Sequence, residues 1–145
     1  MEACVELARM SDATIEGCVE PLRILLVDDS REFLDSAIRY LRAQPLITVV
    51  GCATSGYEGI DKVLRVRPDV VLMDITLPDL NGLKAIRQIR MQLHVDPTII
   101  VMTLHDSYEY REAAKQVGVD GFLTKSEFIT QVIPLIFSLC TRFPS

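Results

Sequence analysis

No stretch of this chain is long and apolar enough to cross a bilayer. The longest candidate, residues 128–140, is too short and is interrupted by Thr130, Gln131 and Pro134. Nor does the N-terminus read as a secretory leader. Met1-Glu2-Ala3-Cys4-Val5-Glu6 is acidic where a signal peptide is basic, so a cytoplasmic location and no membrane contact are expected. Positive charge is not in excess either. Fifteen Lys and Arg face 20 Asp and Glu, for a net charge of -5, which argues against direct nucleic-acid binding by this domain. Cysteine is sparse. Cys4, Cys18, Cys52 and Cys140 are spaced neither as a metal knuckle nor as a redox pair, and free thiols in a reducing compartment are expected. His94 and His105 are far apart, lack ligand-like neighbours and are expected at the surface. The loop after the first apolar run, Asp28-Asp29-Ser30, is acidic and has no glycine, which sets aside a nucleotide-binding module.

What is present is a core. The 145 residues suffice for one domain, and an apolar fraction of 49% excludes wholesale disorder. Residues 1–21 have weak periodicity and read as a flexible leader or a short extra helix over Glu2–Met10. The domain occupies residues 22–145. Apolar runs at Arg23–Val27, Ile47–Ala53, Val70–Met73, Thr98–Met102 and Gly121–Thr124 read as strands. They alternate with helical patterns. In the first, Phe33, Leu34, Ala37, Ile38 and Leu41 form one stripe behind a Ser30 cap. Further helices are expected at Tyr57–Arg65, Gly82–Leu93, Tyr108–Val117 and Gln131–Thr141, the last with Pro134 in its first turn. Strict alternation predicts an α/β fold, a parallel sheet with helices on both faces.

The polar residues at the ends of these runs carry the chemistry. Asp28 and Asp29 follow the first run, Asp74 the third, Thr103 the fourth and Lys125 the fifth. Ligands of open α/β sheets bind outside the carboxyl ends of the strands. Three carboxylates, a hydroxyl and an ammonium should therefore converge on one edge. Close carboxylates repel unless a cation sits among them, and a hard divalent ion, Mg²⁺, suits them. Singly, each residue has an ordinary reading. Asp28-Asp29 can open a helix, Asp74 can be a turn residue, Thr103 suits a strand end, and Lys125 can be a solvated side chain. All of them at strand ends, in this order, are hard to assign to chance.

The stretches Ile24-Leu25-Leu26-Val27-Asp28-Asp29-Ser30, Val71-Leu72-Met73-Asp74-Ile75-Thr76-Leu77-Pro78, Asn81-Gly82, Val101-Met102-Thr103 and Asp120-Gly121-Phe122-Leu123-Thr124-Lys125 resemble the receiver domain of two-component response regulators. The resemblance runs from Leu22 to about Thr141. His105 to Tyr110, and Ser126 after Lys125, look most like receivers attached to LuxR-type (NarL–FixJ) DNA-binding domains. It implies a doubly wound, flavodoxin-like sheet in the order 2-1-3-4-5, with Asp74 as phosphoacceptor. Mg²⁺ would be held by Asp29, Asp74 and the Thr76 carbonyl, with Asp28 acting through a bound water. Lys125 would pair with a phosphoryl oxygen. Thr103 would donate its hydroxyl to the phosphoryl group, and Phe122 would turn inward as a switch. Partners would be a sensor histidine kinase or phosphotransfer protein. The uncharged outer face of the last helix suggests a second copy or an output domain.

Five positions depart from common receiver patterns or vary within them. Leu104 stands where a small residue usually lines the pocket and is expected to gate it. Phe122 replaces a frequent Tyr. Thr76 and His105 occupy variable positions that tune dephosphorylation. Ser126 replaces a frequent Pro, so a trans peptide or strain is expected there. The expected role is a phosphorylated switch, not an enzyme with its own turnover, standing alone or as a piece of a longer regulator. The alternative is a pseudo-receiver, an interaction module with little phosphorylation. An aspartyl-phosphate hydrolase would need a carboxylate where Thr76 stands.

Overall fold

The apolar runs become five parallel strands: β1 (Leu22–Val27), β2 (Ile47–Ala53), β3 (Val70–Asp74), β4 (Thr98–Thr103) and β5 (Gly121–Thr124), in the order β2-β1-β3-β4-β5. Between and after them lie α1 (Arg31–Arg42), α2 (Gly56–Val66), α3 (Gly82–Gln92), α4 (Tyr108–Gln116) and α5 (Phe128–Leu139). This computed structural model describes residues 20–94 and 97–140. All but the end of the expected leader, with Cys4 and Cys18, lies outside the described residues, as does Thr141. No helix among the described residues is long and apolar enough to cross a membrane.

Side chains alternate along each strand, so each apolar run feeds two cores. Leu22, Ile24, Leu26, Val70, Leu72, Ile100, Met102 and Leu123 pack with Leu34, Ala37 and Leu41 of α1 and with Phe128, Val132 and Ile136 of α5. Leu25, Val27, Val71, Met73, Ile99 and Val101 pack with Ile60 and Val63 of α2 and with Ala85, Ile86 and Ile89 of α3. Burial on both faces is why the strands read as continuous apolar runs instead of alternating ones.

Serine and asparagine fix where the helices begin. Ser30, Ser55, Asn81 and Ser107 each accept a backbone N–H, from Phe33, Glu58, Leu83 and Tyr110 respectively. Such caps contribute about 1 kcal/mol each. Three of them, Ser30, Asn81 and Ser107, start the helices that follow the strand ends carrying Asp28 and Asp29, Asp74 and Thr103. Gly118, at φ 77°, follows α4 in the left-handed conformation that stops a helix.

The last helix differs from the sequence expectation. It starts at Phe128, not Gln131, so Pro134 sits in its interior and not in its first turn. The cause lies upstream. Thr124 and Glu127 form a capping box, and the single 3₁₀ turn Lys125–Glu127 leads straight into α5. Pro134 is exposed, and so is Thr130, whose carbonyl loses its usual helical donor and can turn to water. The described chain contains no cis peptide, so the Lys125–Ser126 bond is trans, one of the two outcomes expected where Ser replaces Pro.

Candidate functional site

Parallel register aligns the polar strand ends. Val27 pairs with Met73, which places Asp28 beside Asp74 one step further on. Thr103 pairs with Thr124, immediately before Lys125. Alternation then sorts the residues by face. Asp74 continues the series Val70, Leu72 that faces α1 and α5, and Lys125 continues that of Leu123. Thr103 follows Ile99 and Val101 on the opposite face, the one against which Phe122 packs.

Asp28 and Asp74 are held in the same way. Asp28 Oδ1 accepts the Ser30 N–H at 2.8 Å, and Asp74 Oδ1 accepts the Thr76 N–H at 3.1 Å. In each case the amide two residues ahead closes a local turn on the carboxylate. The second oxygens share one cation. Lys125 Nζ lies 2.5 Å from Asp28 Oδ2 and 3.4 Å from Asp74 Oδ2. The Asp28 contact is an ion pair only, because Oδ2 accepts no well-oriented hydrogen bond. Asp28 and Asp74 are 0% and 1% exposed, and the Lys125 side chain 9%. Burial pushes the Asp74 carboxyl up to about 6, and the neighbouring Asp28 charge adds to the rise. Lys125 and the Thr76 amide pull the other way.

Asp29 is exposed and completes the cluster. Oxygens of Asp28, Asp29 and Asp74 all lie within 4.8 Å of one another. An all-oxygen set with a buried oxygen that lacks a hydrogen bond, beside a carboxylate destabilised by its neighbour, suits a hard divalent ion such as Mg²⁺.

The remaining expected residues surround this cluster. Thr76 is exposed, and its hydroxyl reaches Asp74 Oδ1 at 3.4 Å. The Thr103 hydroxyl is buried and engaged in its own loop, donating to the His105 carbonyl at 3.1 Å and accepting the His105 N–H at 3.2 Å. To serve a group on Asp74 it must exchange that bond. Leu104 is 66% exposed, so it does not pack into the helices. Phe122 is half-buried under the Arg111 guanidinium, 4.5 Å from its ring, and Asp106 grips the same guanidinium at 2.6 and 3.0 Å. His94 and His105 are both exposed, as expected.

Two supports were not legible in the sequence. A Cβ on Gly82 would stand 2.1 Å from the Asp74 carbonyl oxygen, so the start of α3 can lie beneath that strand end only with glycine there. Asp79 accepts the Gly56 and Tyr57 N–H groups at 2.8 and 3.1 Å, tying the loop after β3 to α2. Nothing in local spacing marks either contact; the Asn81-Gly82 pair signals a turn but not the surface it meets.

Residues 24–136 match the family model described as the response regulator receiver domain. The chain is 40% identical over 108 residues to a protein-glutamate methylesterase/protein-glutamine glutaminase of Symbiobacterium thermophilum, covering 72% of this chain and 29% of that protein. It is 31% identical over 115 residues to the response regulator GacA of Pseudomonas viridiflava, covering 79% and 53%. The chain thus spans about half or less of these relatives' lengths. Among solved structures, a LuxR-family two-component response regulator from Aurantimonas sp. SI85-9A1 superposes with a TM-score of 0.77 at 29% identity, covering 82% of this chain and 84% of that one.

Proposed function

This chain belongs to the response regulator receiver domain family, and from that premise we propose that it accepts a phosphoryl group on Asp74 in a Mg²⁺-dependent reaction. The observation that carries the reading is the buried Asp74 carboxylate, set between a second carboxylate and an ammonium at the strand ends. The donor is a phosphohistidine on a sensor kinase or phosphotransfer protein. One Asp74 oxygen forms a bond to phosphorus as the P–N bond breaks, and the departing imidazole nitrogen takes a proton from solvent. At neutral pH most of Asp74 is ionised and needs no base.

Asp28, Asp29, Asp74 and the Thr76 carbonyl would hold Mg²⁺, which when bound neutralises phosphoryl charge. Lys125 is poised to move from Asp28 to a phosphoryl oxygen as a compact point charge. Thr103 exchanges the His105 carbonyl for the phosphoryl group. That exchange opens the loop that Asp106 anchors to Arg111, and so releases Phe122 to turn inward. New phosphate contacts shift the population toward that arrangement. The uncharged outer face of α5, with Ile129, Gln131, Pro134 and Ser138 exposed, is the proposed contact surface for a second copy or an output domain. The methylesterase and glutaminase activities in the relative's name belong to that whole protein and are not carried over.

The test is intact mass after incubation with a small phosphodonor, with Mg²⁺ and with chelator. One phosphoryl group is expected on the parent with metal, and none without metal or on Asp74→Ala. Labelling of the Asp74→Ala protein, or equal labelling in chelator, sinks the proposal. An unlabelled parent favours the interaction-module alternative.

Leu104 is proposed to limit entry to this pocket. It follows Thr103 and is exposed, so its truncation leaves no core cavity. Leu104→Ala should speed both labelling by the phosphodonor and loss of the phosphoryl group, since water gains the same access, with little change in melting temperature. Unchanged labelling and decay rates would end the gate reading.

A further inference from the structure

The Lys125 ammonium has a third neighbour besides its two carboxylates. Its Nζ lies 4.8 Å from the centre of the Phe33 ring. Phe33 is half-buried in the first turn of α1, and the sequence places it simply in that helix's apolar stripe. Its other contacts fix it firmly. The Phe33 N–H donates to Ser30 Oγ at 3.2 Å, and the Ser30 N–H donates to Asp28 Oδ1. A closed circuit results, from Asp28 through Ser30 and Phe33 to Lys125 and back to Asp28 Oδ2. Phe33 also meets the buried Phe128 ring edge to face, with centroids 5.3 Å apart at 79°. Phe128 begins α5 and touches Tyr40, whose hydroxyl donates to the Ile129 carbonyl at 2.9 Å. The ring beneath the ammonium is thus locked to both helices on this face.

We infer that Phe33 is a positioning residue for Lys125: its ring face holds the ammonium between Asp28 and Asp74 and keeps it in place for the phosphoryl group. The physical basis is the attraction of a cation to the negative face of an aromatic ring, which strengthens as water is excluded. An ammonium on a four-carbon stem has many rotamers, and a face that accepts it from below restricts them without competing for its three N–H donors. Aliphatic packing at position 33 would fill the space but not supply the attraction. The inference rests on the phosphoryl-transfer reading for its consequence, and on geometry alone for the contact.

The experiment separates ring electrostatics from shape. Phenylalanines carrying one, two and three ring fluorines are placed at position 33, alongside Phe33→Leu and Phe33→Tyr. Fluorine drains the ring face of electron density while hardly changing its outline. Two quantities are read: the rate of Mg²⁺-dependent labelling by a small phosphodonor, and the NMR shifts of the Lys125 ε-methylene protons in the unphosphorylated protein. Labelling should slow stepwise with fluorine number and by about three- to tenfold in Phe33→Leu, with Phe33→Tyr near the parent. The ε-methylene signals should be displaced by the ring in the parent and in Phe33→Tyr, and return to ordinary positions in Phe33→Leu. If the parent labels and the fluorinated series labels at the parental rate, the positioning role is overturned; ε-methylene signals that ignore Phe33→Leu overturn the contact itself. A parent that takes no phosphoryl group overturns the transfer reading instead, and the ε-methylene signals then decide by themselves whether Phe33 holds Lys125.

Discussion

Asp74→Asn should stabilise the metal-free protein by about 3 kcal/mol at pH 7 while removing its capacity to take a phosphoryl group. The ionised carboxylate is held where burial and the Asp28 charge both oppose it, so its pKa rises from 3.8 to about 6 on folding. Each unit of difference is worth about 1.4 kcal/mol between the two protonation states. The folded value lies above the unfolded one. The protonated acid's stabilising contribution is therefore fully present below about pH 4 and is lost as the pH rises through about 6. Asparagine keeps the shape and has no charge to lose. The gap between variant and parent should be near zero at pH 4 and reach its full size above pH 7. Urea unfolding of both proteins in chelator across this range measures it, and the difference cancels the other carboxylates. A gap that widens toward acid, or equal stabilities at pH 7.5, would contradict the assignment. Adding Mg²⁺ at neutral pH should close the gap by stabilising the parent, because a cation among the three carboxylates offsets the same repulsion.

Lys125→Met should do the opposite. Methionine keeps much of the aliphatic stem but leaves Asp28, fully buried, facing Asp74 without the ammonium that touches both. Breaking a buried pair from one side costs about 3–5 kcal/mol. The low end, about 3 kcal/mol, is expected in chelator at pH 7, because the Asp74 carboxyl, already raised by burial and now without the ammonium that held it down, can take up a proton. Mg²⁺ should restore most of that stability. It should not restore function, since the phosphoryl oxygen loses its own cationic partner. Labelling by the phosphodonor should fall by about 100-fold or more, the scale for removing one preorganised charge partner. Combining Asp74→Asn with Lys125→Met should recover part of the lost stability, as the two residues interact directly. A Lys125→Met protein as stable as the parent in chelator would mean that the ammonium does not hold the carboxylates in solution. Parental labelling would remove Lys125 from the reaction.

The strand ends and their chemistry were legible because each is a local pattern. A short apolar run followed by Asp, Thr or Lys states both a buried strand and the polar group at its end. Five apolar runs alternating with helical stripes, four of them ending in such a group, leave few arrangements for the sheet. The start of the first helix was equally local, written in the Ser30 cap. The last helix was misplaced because Pro134 looks like a first-turn residue, while the capping box of Thr124 and Glu127, three residues apart, sets the true start.

Which groups share which charge depends on contacts between distant segments. Parallel register puts Asp28 beside Asp74, and alternation sends Lys125 to the same face and Thr103 to the other. The Lys125–Asp28 pair and the Phe33 ring beneath the ammonium join residues far apart in the chain, and the Arg111 guanidinium over Phe122 joins α4 to β5. No periodicity encodes them, since a period states the face a side chain takes and not the group it meets there. Local pattern was enough for the sheet and for the polar residues at its strand ends. Packing of distant segments decided the electrostatics, because desolvation and charge separation exist only once those segments are in contact.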